Sequence, residues 1–191
     1  MQTNREFYFS VGINDIPWDR LVHWYGRATD FPAYFYDLLS GEPTRQKAAI
    51  DQIGINIEHQ DGIMMATPFT LLFLFRLLSF DKTNKEQILS KILTVAKAAQ
   101  FQLQLYENRE TPTTINSIRE LLSGKYIWPE FESEHQDEIN GEVYNYDDVH
   151  YYWLKYTFDI IETFSFILAR LTEKNEIDIS GQILKIIENQ R

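Results

Sequence analysis

The sequence predicts an all-α fold, an α-solenoid-like stack of antiparallel helix pairs with a short extended N-terminal arm. Two observations carry this prediction: apolar residues recur every three or four positions through most of the chain, and capping residues and Gly or Pro stops punctuate them. A third is composition. The 191 residues are 44% hydrophobic and 15% aromatic with no cysteine, and their mean hydropathy of -0.34 is that of a globular chain. A chain this long buries most of its surface without a disulfide or metal staple.

Glu6 to Val11 alternates Phe7, Phe9 and Val11 with Tyr8 and Ser10, and predicts an extended arm over residues 1–14. Asp15 to Tyr25 carries Ile16, Trp18, Leu21, Val22 and Tyr25 at helical spacing behind a capping aspartate, and predicts a first short helix. Asp30 and Ser40-Gly41 bracket a second helix. Thr44 opens a third, with Ile50, Ile53 and Ile57 on one face, in which Gly54 is weakening unless a close neighbour requires it. Thr67-Pro68 reads as a cap and first helical proline for a helix to about Ser79. Thr83-x-x-Glu86 reads as a capping box ahead of a long amphipathic helix reaching Tyr106. Thr111-Pro112 breaks the chain before a shorter helix from about Thr114 to Leu122. Residues 15–124 thus form N-terminal helix pairs, 125–147 an acidic loop and 148–191 a C-terminal helix pair. That last pair runs from Val149 to Leu171 and then from a Ser180 cap.

The stretch from Trp18 to Leu78 resembles a family of bacterial HEAT-like repeat proteins. The residues that carry the resemblance are Trp18, Leu21, Tyr25, Gly26, Ala28, Asp30 and Pro32, then Arg45 and Ala48, then His59-Gln60, then Ala66, Thr67, Phe69, Leu72, Leu77 and Leu78. His23 departs from the family pattern by one position, and Asp61-Gly62 stands where Gly-Thr is expected. The resemblance implies a helical-repeat scaffold without a family-wide catalytic motif, and looks like the immunity proteins that hold a bacterial toxin domain in a stoichiometric complex.

Net charge is -10, from 28 acidic and 18 basic residues. Such a surface repels phosphate backbones and attracts basic partners, so nucleic acid is not an expected partner. Neither is a membrane, because the most apolar window, Pro68 to Phe80, contains Arg76 and is shorter than the ~20 residues a bilayer requires. Without a signal-peptide pattern or cysteines, the expected location is the cytoplasm.

The candidate binding surface is Pro129 to Asp148, which carries Glu130, Glu132, Glu134, Asp137, Glu138, Glu142, Asp147 and Asp148 with no lysine or arginine. Like charges this dense oppose compaction, and a basic partner relieves that repulsion. Trp128, Phe131, Tyr144 and Tyr146 are interleaved as aromatic anchors, the residue types favoured at interface hot spots. The alternative is a solvated loop with its aromatics tucked onto the body.

Other candidates have simpler structural readings. His59-Gln60-Asp61 reads as the C-terminal end of the third helix, and Tyr25-Gly26-Arg27-Ala28 as an interhelical turn. Asp147, Asp148 and His150 form a metal-like cluster, although acidic caps at a helix N-terminus explain the aspartates equally. Nucleotide-binding, hydrolase-elbow and zincin motifs are absent from the sequence. The expected function is therefore non-catalytic binding of a basic protein, for instance a toxin or nuclease domain, with no cofactor. The alternatives are a peptide-binding helical scaffold and an all-α metal-dependent enzyme using Asp147, Asp148 and His150.

Overall fold

Thr3 caps a helix where the alternation of aromatics predicts an extended arm. Its hydroxyl accepts from the Glu6 amide at 3.2 Å and the Glu6 carboxylate accepts from the Thr3 amide at 2.7 Å, a capping box that starts α1 (Asn4–Ser10). In this helix the consecutive residues Phe7 and Tyr8 are both buried, which a strand's alternating faces do not allow. The chain is described here by a computed structural model covering residues 2–107, 109–128 and 145–190.

The helix predicted from Asp15 to Tyr25 is also replaced. Two 3-10 turns, Ile13–Asp15 and Trp18–Arg20, lead into a hairpin of β1 (Val22–His23) and β2 (Gly26–Arg27). The indole of Trp18 donates to the Ile13 carbonyl at 2.7 Å and packs among Phe31, Phe35 and Phe73. The Ala66 amide donates to the Val22 carbonyl and the Trp24 amide to the Asn56 carbonyl, so distant backbone takes the place of helical partners. Tertiary contacts here override a helical spacing that spans fewer than three turns.

The pair α2 (Phe31–Leu39) and α3 (Pro43–Ile57) follows as predicted. Buried Gln46 donates to the Leu38 and Lys82 carbonyls at 2.8 and 2.6 Å and ties this pair to the next. A second hairpin then intervenes, of β3 (Glu58–His59) and β4 (Gly62–Ile63). Its two central residues, Gln60 and Asp61, have φ of 51° and 59°, the left-handed pattern of a type I′ turn. His59-Gln60-Asp61 is therefore a strand and turn and not a helix end.

In α4 (Thr67–Leu77) the Thr67 hydroxyl donates to the Ile57 carbonyl at 2.7 Å and accepts from the Met64 amide at 3.0 Å. Thr67 thus fastens the hairpin, and the N-cap falls to Ala66. Similarly, Asn84 and not Thr83 caps α5 (Lys85–Leu103), accepting from the Gln87 amide at 3.1 Å. The Thr83 hydroxyl is shared between the Leu77 and Phe80 carbonyls at the end of α4. The helix predicted from Thr114 shrinks to a 3-10 segment, Ile118–Leu122. The secure C-terminal helix is α6 (Tyr146–Leu168), and α7 (Lys174–Glu188) starts a turn and a half before Ser180, which is buried inside it.

The described residues are mostly helical, and no helix among them is long and apolar enough to cross a membrane. Helices α2, α4 and α6 pack side by side, as do α3, α5 and α7, and each chain-adjacent pair packs across. Asn175 at the start of α7 reaches Glu86 at the start of α5, while Phe75 near the end of α4 stacks on Phe164 near the end of α6 with ring centres 5.6 Å apart. The core runs continuously between these two rows. Helix α1 closes over it: the Arg76 guanidinium donates to the Tyr8 and Val11 carbonyls at its C-terminal end, and the Tyr8 hydroxyl donates to Asp159 at 2.6 Å.

Candidate functional site

Of the predicted binding residues, Glu130, Phe131, Glu132, Glu134, Asp137, Glu138, Glu142 and Tyr144 lie outside the described residues. Trp128, Tyr146, Asp147 and Asp148 lie within them, and they bracket the acidic segment on both sides.

At the first bracket, the Trp128 amide donates to the Arg20 carbonyl at 3.0 Å and the Arg20 guanidinium returns a bond to the Trp128 carbonyl at 2.7 Å. The Arg27 guanidinium sits over the Trp128 ring, 5.7 Å from its centre. The acidic segment thus follows a half-buried tryptophan held between two arginines. The hairpin β1–β2 supplies one of these cations and the turn before it the other.

At the second bracket, Asn145 caps α6 by accepting from the Asp147 amide at 3.0 Å. Tyr146 is half exposed, stacked on His150 at a ring angle of 6° and set edge-on to Trp153. The Asp147 carboxylate accepts from Arg109 at 2.8 Å, and Arg109 also covers the Tyr106 ring. The Tyr106 hydroxyl lies 2.8 Å from His150 Nδ1 and 3.2 Å from the Asp147 carbonyl. A proton on Nδ1 satisfies all three groups, with the ring donating to the hydroxyl and the hydroxyl to the carbonyl. Burial lowers the His150 pKa against the opposing pull of Asp147, and burial chiefly raises those of Tyr106 and Tyr146. These groups are therefore neutral near pH 7.

This arrangement holds a bracket in place. Asp147 is spent on Arg109 and His150 on Tyr106, and among the described residues no group of three histidines or carboxylates is placed to hold a metal ion. Arg20, Arg109 and Tyr106, which do the holding, were invisible as site residues in the sequence because each comes from an element far from the acidic run.

The sequence reading also missed a second exposed aromatic surface, where the two hairpins meet. Trp24 and Tyr25, at the tip of β1–β2, are 38% and 63% exposed. The Trp24 indole donates to the Gly62 carbonyl at 3.3 Å, and the His59 ring lies edge-on or tilted to both aromatics at under 6 Å. A Cβ at Gly62 would stand 2.5 Å from the Trp24 ring, so the glycine is what lets the hairpins close on each other. The sequence offered only a weak signal, since Asp61-Gly62 is displaced by one position from the central turn pair Gln60-Asp61 and the flanking strands are only two residues long. Compared with known proteins, the chain matches no protein-family model, no curated protein and no solved structure.

Proposed function

We propose that this chain is a non-catalytic binding protein that presents its acidic, aromatic segment to a basic protein partner. The observation that carries the reading is where the charge lies. Pro129 to Asp148 holds eight of the 28 acidic residues and none of the 18 basic ones, which leaves 20 acidic against 18 basic residues elsewhere. Nearly all the net charge therefore belongs to one segment. A nearly neutral body projects a negative potential from one place, which steers a cationic partner toward it at low salt. The ordered brackets at Trp128 and Tyr146 support the same reading, since fixed aromatic anchors reduce the entropy lost on binding.

The side-by-side rows of α2, α4, α6 and α3, α5, α7 support a helical-repeat architecture of the HEAT-like kind. A repeat scaffold carrying a charged segment suits stoichiometric occlusion of a toxin or nuclease domain, the role of an immunity protein.

The test is affinity capture from native lysate at low and high salt, with the wild-type chain and with a variant whose eight carboxylates are changed to amides. One stoichiometric basic protein, released by salt and lost with the variant, is expected. Co-expression with that partner should restore growth if the partner is toxic. Equal retention by the amide variant, or no retention at either salt, overturns the proposal.

A further inference from the structure

We infer that the chain carries a second interaction surface, on which the acidic segment of another copy of the chain docks. The surface is a strip of two phenyl rings flanked by two guanidinium groups, where α1 meets the C-terminal half of α6. Phe9 on α1 and Phe166 on α6 have ring centres 6.3 Å apart, and Phe9 rests 4.9 Å from the buried Phe164 ring beneath. The two outer rings are 47% and 39% exposed. Arg5 lies over the Phe9 ring at 5.7 Å and Arg170 over the Phe166 ring at 5.5 Å, each one helical turn from its ring in sequence.

The four-residue spacing builds each Arg–Phe pair locally, and the fold joins the two pairs. The Tyr8 hydroxyl, one residue from Phe9, donates to Asp159 and so holds α1 against α6. Exposed apolar rings that touch one another and carry charge at the rim mark an interaction surface, where singly scattered ones do not.

The rim identifies the occupant. Neither Arg5 nor Arg170 forms an ion pair among the described residues. The acidic side chains of α1 and α6 in this region are engaged: Glu6 closes the Thr3 capping box, Asp159 accepts from Tyr8, and Glu162 has a partner. A guanidinium laid over a ring keeps its edge N–H donors for a carboxylate. The complement of the strip is therefore an acidic segment interleaved with aromatics, and Pro129 to Asp148 has that composition: eight carboxylates, no lysine or arginine, and Phe131, Tyr144 and Tyr146 among them. Tyr146 begins α6 and Phe166 lies near its end, about 30 Å along the helix axis. The Tyr146 bracket and the strip thus stand at opposite ends of the helix, and contact between copies runs head to tail. Docking itself needs only the chain's own charges. Its consequence, that self-association and binding of a basic partner exclude each other, rests on the proposed function.

The experiment follows the mass of the full chain by sedimentation over a wide concentration range at low and high salt, and the binding of a fluorescent peptide of residues 129–148 by anisotropy. At low salt the mass is expected to rise with concentration, and at high salt the chain should return to monomer. Arg5→Gln with Arg170→Gln, both exposed, should remain monomeric and bind the peptide about tenfold more weakly. Phe166→Ser should weaken the peptide about threefold, and a peptide with its carboxylates changed to amides should not bind. A monomer at every concentration, peptide binding unchanged in the double arginine variant, or equal binding of the amide peptide each overturn the inference. So does arginine-dependent binding to vesicles of anionic lipid without binding of the peptide, which would assign the strip to a membrane surface. The double arginine variant keeps its acidic segment, so it should still capture a basic partner from lysate; each of the two readings can therefore fail while the other stands.

Discussion

Helices α4 and α7 differ in apolar content and have opposite surroundings. Every residue of α4 except Arg76 is buried, whereas in α7 only Ser180, Ile183, Ile186 and Ile187 are. Helix α4 lies between α2 and α6 in one row and beneath α1 at its end, while α7 is the last helix of the other row and packs chiefly on α5 and α6. A helix hydrophobic all round belongs in the middle of a stack, and one with a single apolar stripe belongs at its edge. The difference teaches that place in the stack, more than helix propensity, sets what each helix contributes to stability.

The comparison is broken most directly in α4. Phe75→Ala removes a fully buried ring stacked on Phe164 and should cost about 3–5 kcal/mol in urea unfolding; a loss under about 1 kcal/mol would remove α4 from the centre of the fold. Arg76→Met leaves the Tyr8 and Val11 carbonyls without their donor. It should cost about 2 kcal/mol and release α1 to faster amide exchange ahead of the rest. Gly62→Ala drives a methyl into the Trp24 ring and should cost about 1–2 kcal/mol, with a shift in tryptophan emission. At the edge, Ile177→Lys on exposed α7 should change stability by no more than about 0.5 kcal/mol; a larger loss would mean that something covers that face.

A pH titration probes two histidines that belong to neither helix, His23 in β1 and His150 in α6. Burial lowers the pKa of His23, which stacks on Phe31 and accepts from the Tyr25 amide at Nδ1, and it lowers that of His150. The folded chain therefore favours the neutral rings. Their contribution is complete above the unfolded value of about 6.5 and is lost as pH falls through the lower folded values. The melting temperature should fall below about pH 6.5, and His23→Asn with His150→Asn should flatten that slope.

Much of the helical framework was legible in the sequence. The long helices α5 and α6 carry five or six turns of unbroken periodicity, enough for the pattern to outweigh local choices. Short segments behaved differently. The alternation Phe7, Phe9, Val11 and the spacing of Trp18, Leu21, Val22 and Tyr25 each cover too few residues to distinguish a strand from a helix, and packing partners elsewhere decided both. Thr3-x-x-Glu6 was present as a capping box and was the better guide. Cap positions at Thr67 and Thr83 slipped by one residue because each hydroxyl serves a carbonyl of a neighbouring element. The acidic segment could be located from composition alone, but its brackets could not, since Arg20 and Arg109 reach it only through the fold.

The bond from Tyr8 to Asp159 spans 151 positions of the chain. A stack whose helices touch only their neighbours can fray from either end and nucleate anywhere along its length. Tying the first helix to the sixth removes that freedom. Folding must therefore wait for a long loop to close before α1 can dock on α6.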